Sequence, residues 1–171
     1  MKDKDIKKAI DTIIIIIDTR EHLPNEITKC FDMYGITWER RKLKSGDYSA
    51  RIPKNEELGI IEEINLENIL CIERKMSADE ISTNVSTNRE RFKREFERAE
   101  AEIIIVIEGS TYKDIAIKNY NSKLTPNQFL GSLHGISDEY SVPFIFIDKG
   151  YSALYIYNLL KYRFRNILKN K

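Results

Sequence analysis

Short apolar runs alternate along the chain with longer segments whose apolar residues recur at helical spacing. The first run, residues 13–18, is continuous and β-branched up to a closing aspartate, which is typical of a strand buried on both faces of a parallel or mixed sheet. Residues 24–34 follow with one apolar stripe and Gly35 behind it. This pattern predicts a helix that begins at Pro24 or Asn25 and ends before the glycine.

The middle of the chain predicts a hairpin followed by a buried strand. Residues 36–43 alternate apolar and charged positions, a tight turn at 45–47 comes next, and residues 48–52 return as the second strand. Residues 53–67 are acidic and fit either a long loop or an extra hairpin. The apolar run at 68–75 then ends abruptly on charged residues.

The second half of the chain predicts further alternation of helices and strands. Ser77 and Glu80 have the spacing of a capping box, which marks a helix start. The elements predicted beyond it are a helix at 88–101, a strand at 103–107, a helix from 125 toward 139, a strand at 142–147 and a helix at 153–168. Strands that alternate with helices around a hairpin predict an α/β sandwich built on a mixed sheet.

Length and composition narrow the class of protein. A chain of 171 residues, 42% apolar and 32% charged, fits a single soluble domain with a heavily charged surface. The five isoleucines at 13–17 are too few for a signal peptide or a membrane span, so we expect a cytoplasmic protein without a membrane partner. Cys30 and Cys71 lack metal-binding spacing, as do the two histidines, so we expect reduced thiols and no zinc site.

The net charge of +1 argues neither for nor against nucleic acid, because a balanced total can hide a basic face beside an acidic site. Residues 88–101 interleave five basic with four acidic side chains. The simpler interpretation is a solvated helix face braced by ion pairs four residues apart. An arginine from this run next to an acidic site would suit a phosphate.

Glu73 and Lys75 close the apolar run at 68–75, one residue apart. On a strand the two side chains project to one face, while Arg74 projects to the other. The acid could ligate a metal ion, and the amine could orient or deprotonate an attacking water. The same pair could also be a solvated ion pair on a wet face.

Three other acidic positions accompany this pair, and each has a structural alternative. Asp18, at the end of the first run, lies where α/β sheets place ligands, or it belongs to a polar turn. Asp47 either faces Glu73 or is an ordinary turn aspartate. Asp79 falls in the first turn of the helix after Ser77, where a carboxylate also complements the helix dipole. The residues by themselves leave these alternatives open.

The order of these motifs resembles the PD-(D/E)xK nuclease superfamily and, more finely, its XPF/Mus-type structure-specific endonuclease domain. The signature of that domain is Gly-Asp followed at a distance by Glu-Arg-Lys-x-x-x-Asp, here at residues 46–47 and 73–79. Three further motifs match in the same order: Asp-Thr-Arg-Glu at 18–21, Arg-Phe at 91–92 and Glu-Gly at 108–109. We therefore expect one domain over residues 1–171, with a core at about 13–147 and a C-terminal helix at about 151–168.

The resemblance implies a restriction-endonuclease-like α/β sandwich, with a central mixed sheet flanked by helices, that acts as a metal-dependent endonuclease on branched or flap DNA. Asp47 and Glu73 would ligate Mg²⁺ or Mn²⁺, and Asp18 would complete the acidic cluster directly or through water. Lys75 would position or activate the attacking water. Arg20 and Arg74 would bind phosphate or brace the acids, and Asp79 would support the site. The resemblance also implies a set of DNA-binding residues: Arg20, Arg89, Arg91 and Lys93.

Relatives of this type commonly carry helix-hairpin-helix units after the nuclease domain, and no Gly-rich hairpin follows it here. We therefore expect a compact form whose recognition of DNA structure comes from a homodimer or a partner subunit. The alternative is a non-catalytic DNA-binding or scaffolding subunit, although the intact Asp47, Glu73 and Lys75 disfavour it. A third interpretation, polar turns in an unrelated α/β domain, leaves too many matched motifs unexplained. Among pathways, replication, repair, recombination and phage DNA processing stay open.

Overall fold

One mixed sheet runs through the part of the chain that the computed structural model describes, residues 1–22 and 25–170. Its seven strands follow the order β2-β1-β3-β5-β6-β7, and β4 pairs with β3 beside this path. The strands are β1 (Ile14–Ile17), β2 (Thr37–Arg40), β3 (Tyr48–Ile52), β4 (Ile64–Asn65), β5 (Leu70–Lys75), β6 (Glu102–Glu108) and β7 (Phe144–Ile147). β3 runs antiparallel to both β1 and β5, while β5, β6 and β7 are parallel.

Helices cover both faces of this sheet. They are α1 (Asp3–Ile10), α2 (Asn25–Met33), α3 (Ala78–Val85), α4 (Arg89–Arg98), α5 (Tyr112–Ala116), α6 (Pro126–Tyr140) and α7 (Ser152–Lys169), with a short 3-10 helix at Glu56–Leu58. One core lies between the sheet and α1, α2 and α7, and the other between the sheet and α3, α4 and α6. Ile104 and Val106 of β6 point into the first core, whereas Ile105 and Ile107 point into the second. A strand covered on both faces needs an uninterrupted apolar run.

The expected α/β class, with a mixed central sheet flanked by helices, is confirmed, and the predicted strands and helices occur with ends that differ by a few residues. The predicted hairpin between 36–43 and 48–52 is wrong, because β1 lies between β2 and β3 and pairs in parallel with β2 and antiparallel with β3. α2 is described from Asn25, and the predicted start at Pro24 lies outside the described residues. The hydroxyl of Ser77 accepts a hydrogen bond from the Glu80 N–H at 3.2 Å. The Glu80 carboxylate instead accepts from the Met76 N–H at 2.8 Å, so one half of the expected capping box forms.

The structure contains two helices that the hydrophobic pattern did not predict, and it shows how the acidic segment 53–67 folds. Neither α1 nor α5 is indicated by the sequence, because α1 is dominated by charged residues and α5 is very short. Residues 53–67 form the 3-10 helix and the two-residue strand β4, which pairs antiparallel with β3, so the segment combines a short hairpin with a long connection. No helix within residues 1–22 and 25–170 is long and apolar enough to cross a membrane.

Candidate active site

The turn before β3 meets the end of β5, and this contact brings two carboxylates together. The Asp47 N–H donates to the Ile72 carbonyl oxygen at 2.8 Å, and the Arg74 N–H donates to Oδ2 of Asp47 at 2.8 Å. Asp47 and Glu73 then line one cleft with a volume of about 510 Å³. The expectation that Asp47 faces Glu73, rather than serving only as a turn residue, agrees with this geometry.

Gly46 makes this close approach possible. Its φ of +69° lies in the left-handed region, which side chains with a Cβ rarely adopt. A Cβ at this position would lie 2.9 Å from the Cys71 Cβ and 3.1 Å from the Ile72 carbonyl oxygen. The glycine therefore lets the turn lie directly against β5, with Asp47 facing the end of that strand.

Asp47 forms no ion pair with any residue of 1–22 and 25–170, and this determines its electrostatics. Burial and the negative charge of Glu73 raise the pKa of Asp47 to about 8, although the Arg74 N–H opposes the shift. Within residues 1–22 and 25–170, no group of three or more His, Cys, Asp or Glu side chains is arranged to hold a metal ion. Two carboxylates still fit Mg²⁺ or Mn²⁺, because such ions take much of their shell from water and substrate phosphate.

Lys75 lies beside Glu73 in the second core. Its Nζ is 2.7 Å from Oε1 of Glu73 and 3.6 Å from Oε1 of Glu80, and it lies 5.9 Å from the centre of the Phe92 ring. Burial opposes the charge on Lys75, but the ion pair with Glu73 and the charges of Glu80 and Asp47 together outweigh burial, so its pKa is raised. An ammonium group at this position suits orienting a water or a phosphate.

Asp18 lies at the cleft, but its carboxylate is already occupied. Oδ1 accepts from the backbone N–H and Nε of Arg20 at 2.7 and 2.8 Å, and Oδ2 accepts from the Leu43 N–H at 2.6 Å and from Nη2 of Arg20 at 3.1 Å. Burial would raise the pKa of Asp18, yet these bonds outweigh it and the pKa is lowered. Since the Asp18 N–H also donates to the Asp47 carbonyl at 2.8 Å, its observed role is to brace Asp47. Direct metal ligation would require Arg20 or Leu43 to release it.

Arg74 turns away from the cleft, onto the opposite face of the sheet. Its side chain is 3% exposed and forms an ion pair with Glu108, with Nε 3.0 Å from Oε2. Glu108 also accepts from the Gly150 N–H at 3.1 Å, and Glu21 lies 3.8 Å from Nη1 of Arg74. Of the two roles implied for Arg74, bracing agrees with this placement, and contact with a DNA phosphate does not.

Asp79 is not brought together with the carboxylates of the cleft. It accepts hydrogen bonds from the backbone N–H and from Nδ2 of Asn121, at 2.7 and 2.9 Å. These bonds tie the first turn of α3 to the segment between α5 and α6. Any support from Asp79 therefore reaches the cleft through α3, which follows β5.

The four expected DNA-binding residues divide into two pairs. Arg20 and Arg91 line the cleft. Lys93 instead forms an ion pair with Glu139 at 2.8 Å, and Nη1 of Arg89 contacts the Val85 carbonyl at 3.4 Å. The structure thus does not bring Arg89 or Lys93 to the cleft.

The cleft is also lined by charged residues that the motifs did not predict to belong to the site: Lys44, Arg94, Glu95 and Arg98. Burial and the charge of Glu73 raise the pKa of Glu95, which indicates that Glu95 belongs to the same electrostatic environment. A signal for three of them is present in the sequence. Phe92 and Phe96 mark the buried stripe of α4, and helical periodicity places 94, 95 and 98 together on a neighbouring face.

Comparisons with known proteins add a family and a fold. A family model described as "ERCC4 domain" matches residues 17–159. A structure of XPF from Aeropyrum pernix is similar with a TM-score of 0.62 at 16% identity, covering 88% of this chain and 61% of that one. A structure of XPF from Aeropyrum pernix in complex with DNA has a TM-score of 0.62 at 17% identity, covering 90% of this chain and 66% of that one. This chain therefore spans less than two thirds of either structure, and among curated protein sequences none matches it.

Proposed function

The chain belongs to the ERCC4 domain family, and on this basis we propose that it is a metal-dependent endonuclease that hydrolyses phosphodiester bonds in branched or flap DNA. The observation that carries the proposal is the meeting of Asp47 and Glu73 in one cleft, with the Lys75 ammonium 2.7 Å from Glu73. An acid pair and a fixed cation beside a basic cleft wall suit a reaction on a phosphate ester.

Asp47 and Glu73 would hold Mg²⁺ or Mn²⁺, since their oxygen atoms are the hard ligands that these ions prefer. When bound, such a cation supplies positive charge at the phosphoryl oxygen and acidifies water. Neutralising the two carboxylates would also relieve the repulsion that raises the pKa of Asp47.

The protein's own groups have distinct tasks in this proposal. Lys75 donates hydrogen bonds and orients the attacking water or a phosphate oxygen. The Arg74 N–H holds Asp47 by its carboxylate, while Asp18 holds it from the backbone. Arg20 and Arg91 line the cleft, where a guanidinium can donate to a phosphate.

A cleavage assay tests the proposal. The substrates are labelled single-stranded, duplex, flap, fork and four-way-junction DNA, incubated with Mg²⁺ or Mn²⁺ and, in parallel, with EDTA. The wild type is compared with Glu73→Gln, and with Glu57→Gln as a matched control on the exposed 3-10 helix. We expect cleavage that requires both the metal and Glu73, with flap or forked DNA preferred.

Two outcomes would contradict the proposal. Cleavage that survives Glu73→Gln would remove the assigned ligand. Binding to every substrate without cleavage of any would instead favour the non-catalytic subunit, whose role is to present DNA to a partner.

A further inference from the structure

Two arginines on α4 line the cleft without an ion-pair partner among residues 1–22 and 25–170. Arg94 and Arg98 are both exposed, and both point into the space that Asp47 and Glu73 line. Arg91, which lies on the same helix, is 3.7 Å from Glu95. Arg94 and Arg98 therefore hold positive charge that no described carboxylate neutralises.

The periodicity of α4 places these arginines in a row. Residues 91, 94 and 98 lie about one helical turn apart and share a face, which adjoins the stripe of Phe92 and Phe96 that is buried in the core. Arg94 and Arg98 are separated by about 6 Å of helical rise, so each can reach a different phosphate. The residues of α4 that turn away, Arg89 and Lys93, already have partners.

Basic side chains from outside α4 also line the cleft. The full set of cations that line it is Arg20, Lys44, Arg91, Arg94 and Arg98. Lys44 and Arg20 come from segments that flank β1 and β3, whereas the other three come from α4. Arg20 and Lys44 form ion pairs with Asp18 and Glu100, at 2.8 and 3.0 Å, so within the described part of the chain the unpaired positive charge of the cleft comes from Arg94 and Arg98.

We propose that Arg94 and Arg98 form a phosphate-binding track that holds one strand of DNA by the phosphates next to the scissile bond. The inference rests on the proposed function and names the residues that position its substrate. Arginine suits this task because its planar guanidinium donates two parallel hydrogen bonds to a phosphate. Arg91 contributes less to the track, since Glu95 already neutralises part of its charge.

The test measures how binding depends on salt. A fluorescently labelled single-stranded oligonucleotide is titrated with protein in EDTA, where no metal supports cleavage, over a series of salt concentrations. Each phosphate contact to a single strand contributes about 0.7 to the slope of log affinity against log salt. We expect the double variant Arg94→Gln/Arg98→Gln to bind more weakly and to reduce this slope by about 1.4.

Two comparison variants separate a contact from a general change of charge. Lys4→Gln/Lys8→Gln removes the same charge from exposed positions on α1, on the opposite face of the sheet, and should leave the slope unchanged. Arg94→Lys/Arg98→Lys should restore most of the slope but less of the affinity, because an ammonium cannot form the two-pronged contact. Thermal unfolding of each variant checks that the fold is retained.

The results separate this inference from the proposed function. A slope for the glutamine double variant equal to that of the wild type would overturn the track, even if cleavage still depends on Glu73. The expected loss of slope in a protein that cleaves no substrate would support the track and overturn the nuclease. An equal loss of slope in the α1 variant would also overturn the track, because net charge alone would then explain the binding.

Discussion

The backbone N–H of Arg74 donates a hydrogen bond to Oδ2 of Asp47 at 2.8 Å, although the two residues are 27 positions apart in the chain. The side chain of the same arginine projects through the opposite face of the sheet to its ion pair with Glu108. One residue thus holds a carboxylate on one face and anchors β5 to β6 on the other.

The buried ion pair predicts a large loss of stability when one partner is removed. Glu108→Ala should lower the free energy of unfolding by about 3–5 kcal/mol, since it leaves the buried Arg74 guanidinium with only the longer contact to Glu21 at 3.8 Å. The double variant Arg74→Met/Glu108→Leu should lose much less, because it removes both buried charges of the pair. Urea unfolding measures both values.

An exposed ion pair provides the comparison. Arg163 and Glu102 lie 2.6 Å apart with side chains 31% and 42% exposed, and Glu102→Ala should cost less than about 1 kcal/mol. Equal losses for Glu108→Ala and Glu102→Ala would show that burial of the Arg74 pair has no special role.

Gly46→Ala should lower stability and displace Asp47. The substitution forces a Cβ into the left-handed region and into contact with Cys71 and Ile72, at a combined cost of about 2–4 kcal/mol. The rate of DNA cleavage should fall by more than the loss of folded protein explains, because Asp47 moves with the turn. Denaturant unfolding and a cleavage assay on the same sample measure the two effects.

Gly59→Ala is the control for this substitution. Its φ of +71° matches that of Gly46, but no atom lies within 4 Å of the added Cβ. It should cost only about 1–2 kcal/mol and leave cleavage intact. If both alanine variants lose activity equally, the close approach to β5 is not what matters at Gly46.

Asp47→Asn should stabilise the metal-free protein at neutral and alkaline pH. The folded state holds a proton on Asp47 up to its pKa of about 8, whereas the unfolded state releases it near the ordinary value of about 4. Between these values the folded state binds more protons, so the stability of the wild type falls as pH rises. Asparagine stays neutral and removes this loss, and each kcal/mol gained raises Tm by about 2–4 °C.

Thermal unfolding in EDTA at pH 4 and pH 8 measures the effect. The difference in Tm between Asp47→Asn and the wild type should be positive at pH 8 and small at pH 4. Addition of Mg²⁺ at pH 8 should raise the Tm of the wild type alone. A variant less stable than the wild type at pH 8 in EDTA would contradict the raised pKa.

Lys75→Met should abolish most cleavage while metal binding persists. The substitution keeps the packing near Phe92 but removes the ammonium beside Glu73, and loss of one such donor slows a reaction by about 10²–10³-fold. Isothermal titration with Mn²⁺ measures metal binding, and single-turnover cleavage measures the rate. The exposed Lys42→Met serves as the control and should cleave at the wild-type rate. Cleavage by Lys75→Met at that same rate would remove the proposed role of Lys75.

The amino-acid sequence by itself determined the class of fold and part of the site. Continuous apolar runs such as 103–107 are typical of strands covered on both faces, and their alternation with helical segments indicates the sandwich. Glu73 and Lys75 share a face because side chains alternate along a strand, and their contact at 2.7 Å follows from that period. The pattern did not predict α1, because most residues around its three buried positions are charged.

The tertiary structure decided which groups each polar side chain meets. Asp18 accepts a hydrogen bond from the Leu43 N–H, 25 positions away, and Asp79 accepts one from the Asn121 N–H, 42 positions away. Arg74 donates to Glu108, which is 34 positions away. Such partners depend on which strands and loops become neighbours in the fold, and the local periodicity of the sequence does not predict this. For the same reason, Arg94 and Arg98 are merely charged helix residues in the sequence. They line the cleft only because the folded chain packs the buried face of α4 against the sheet beside β5.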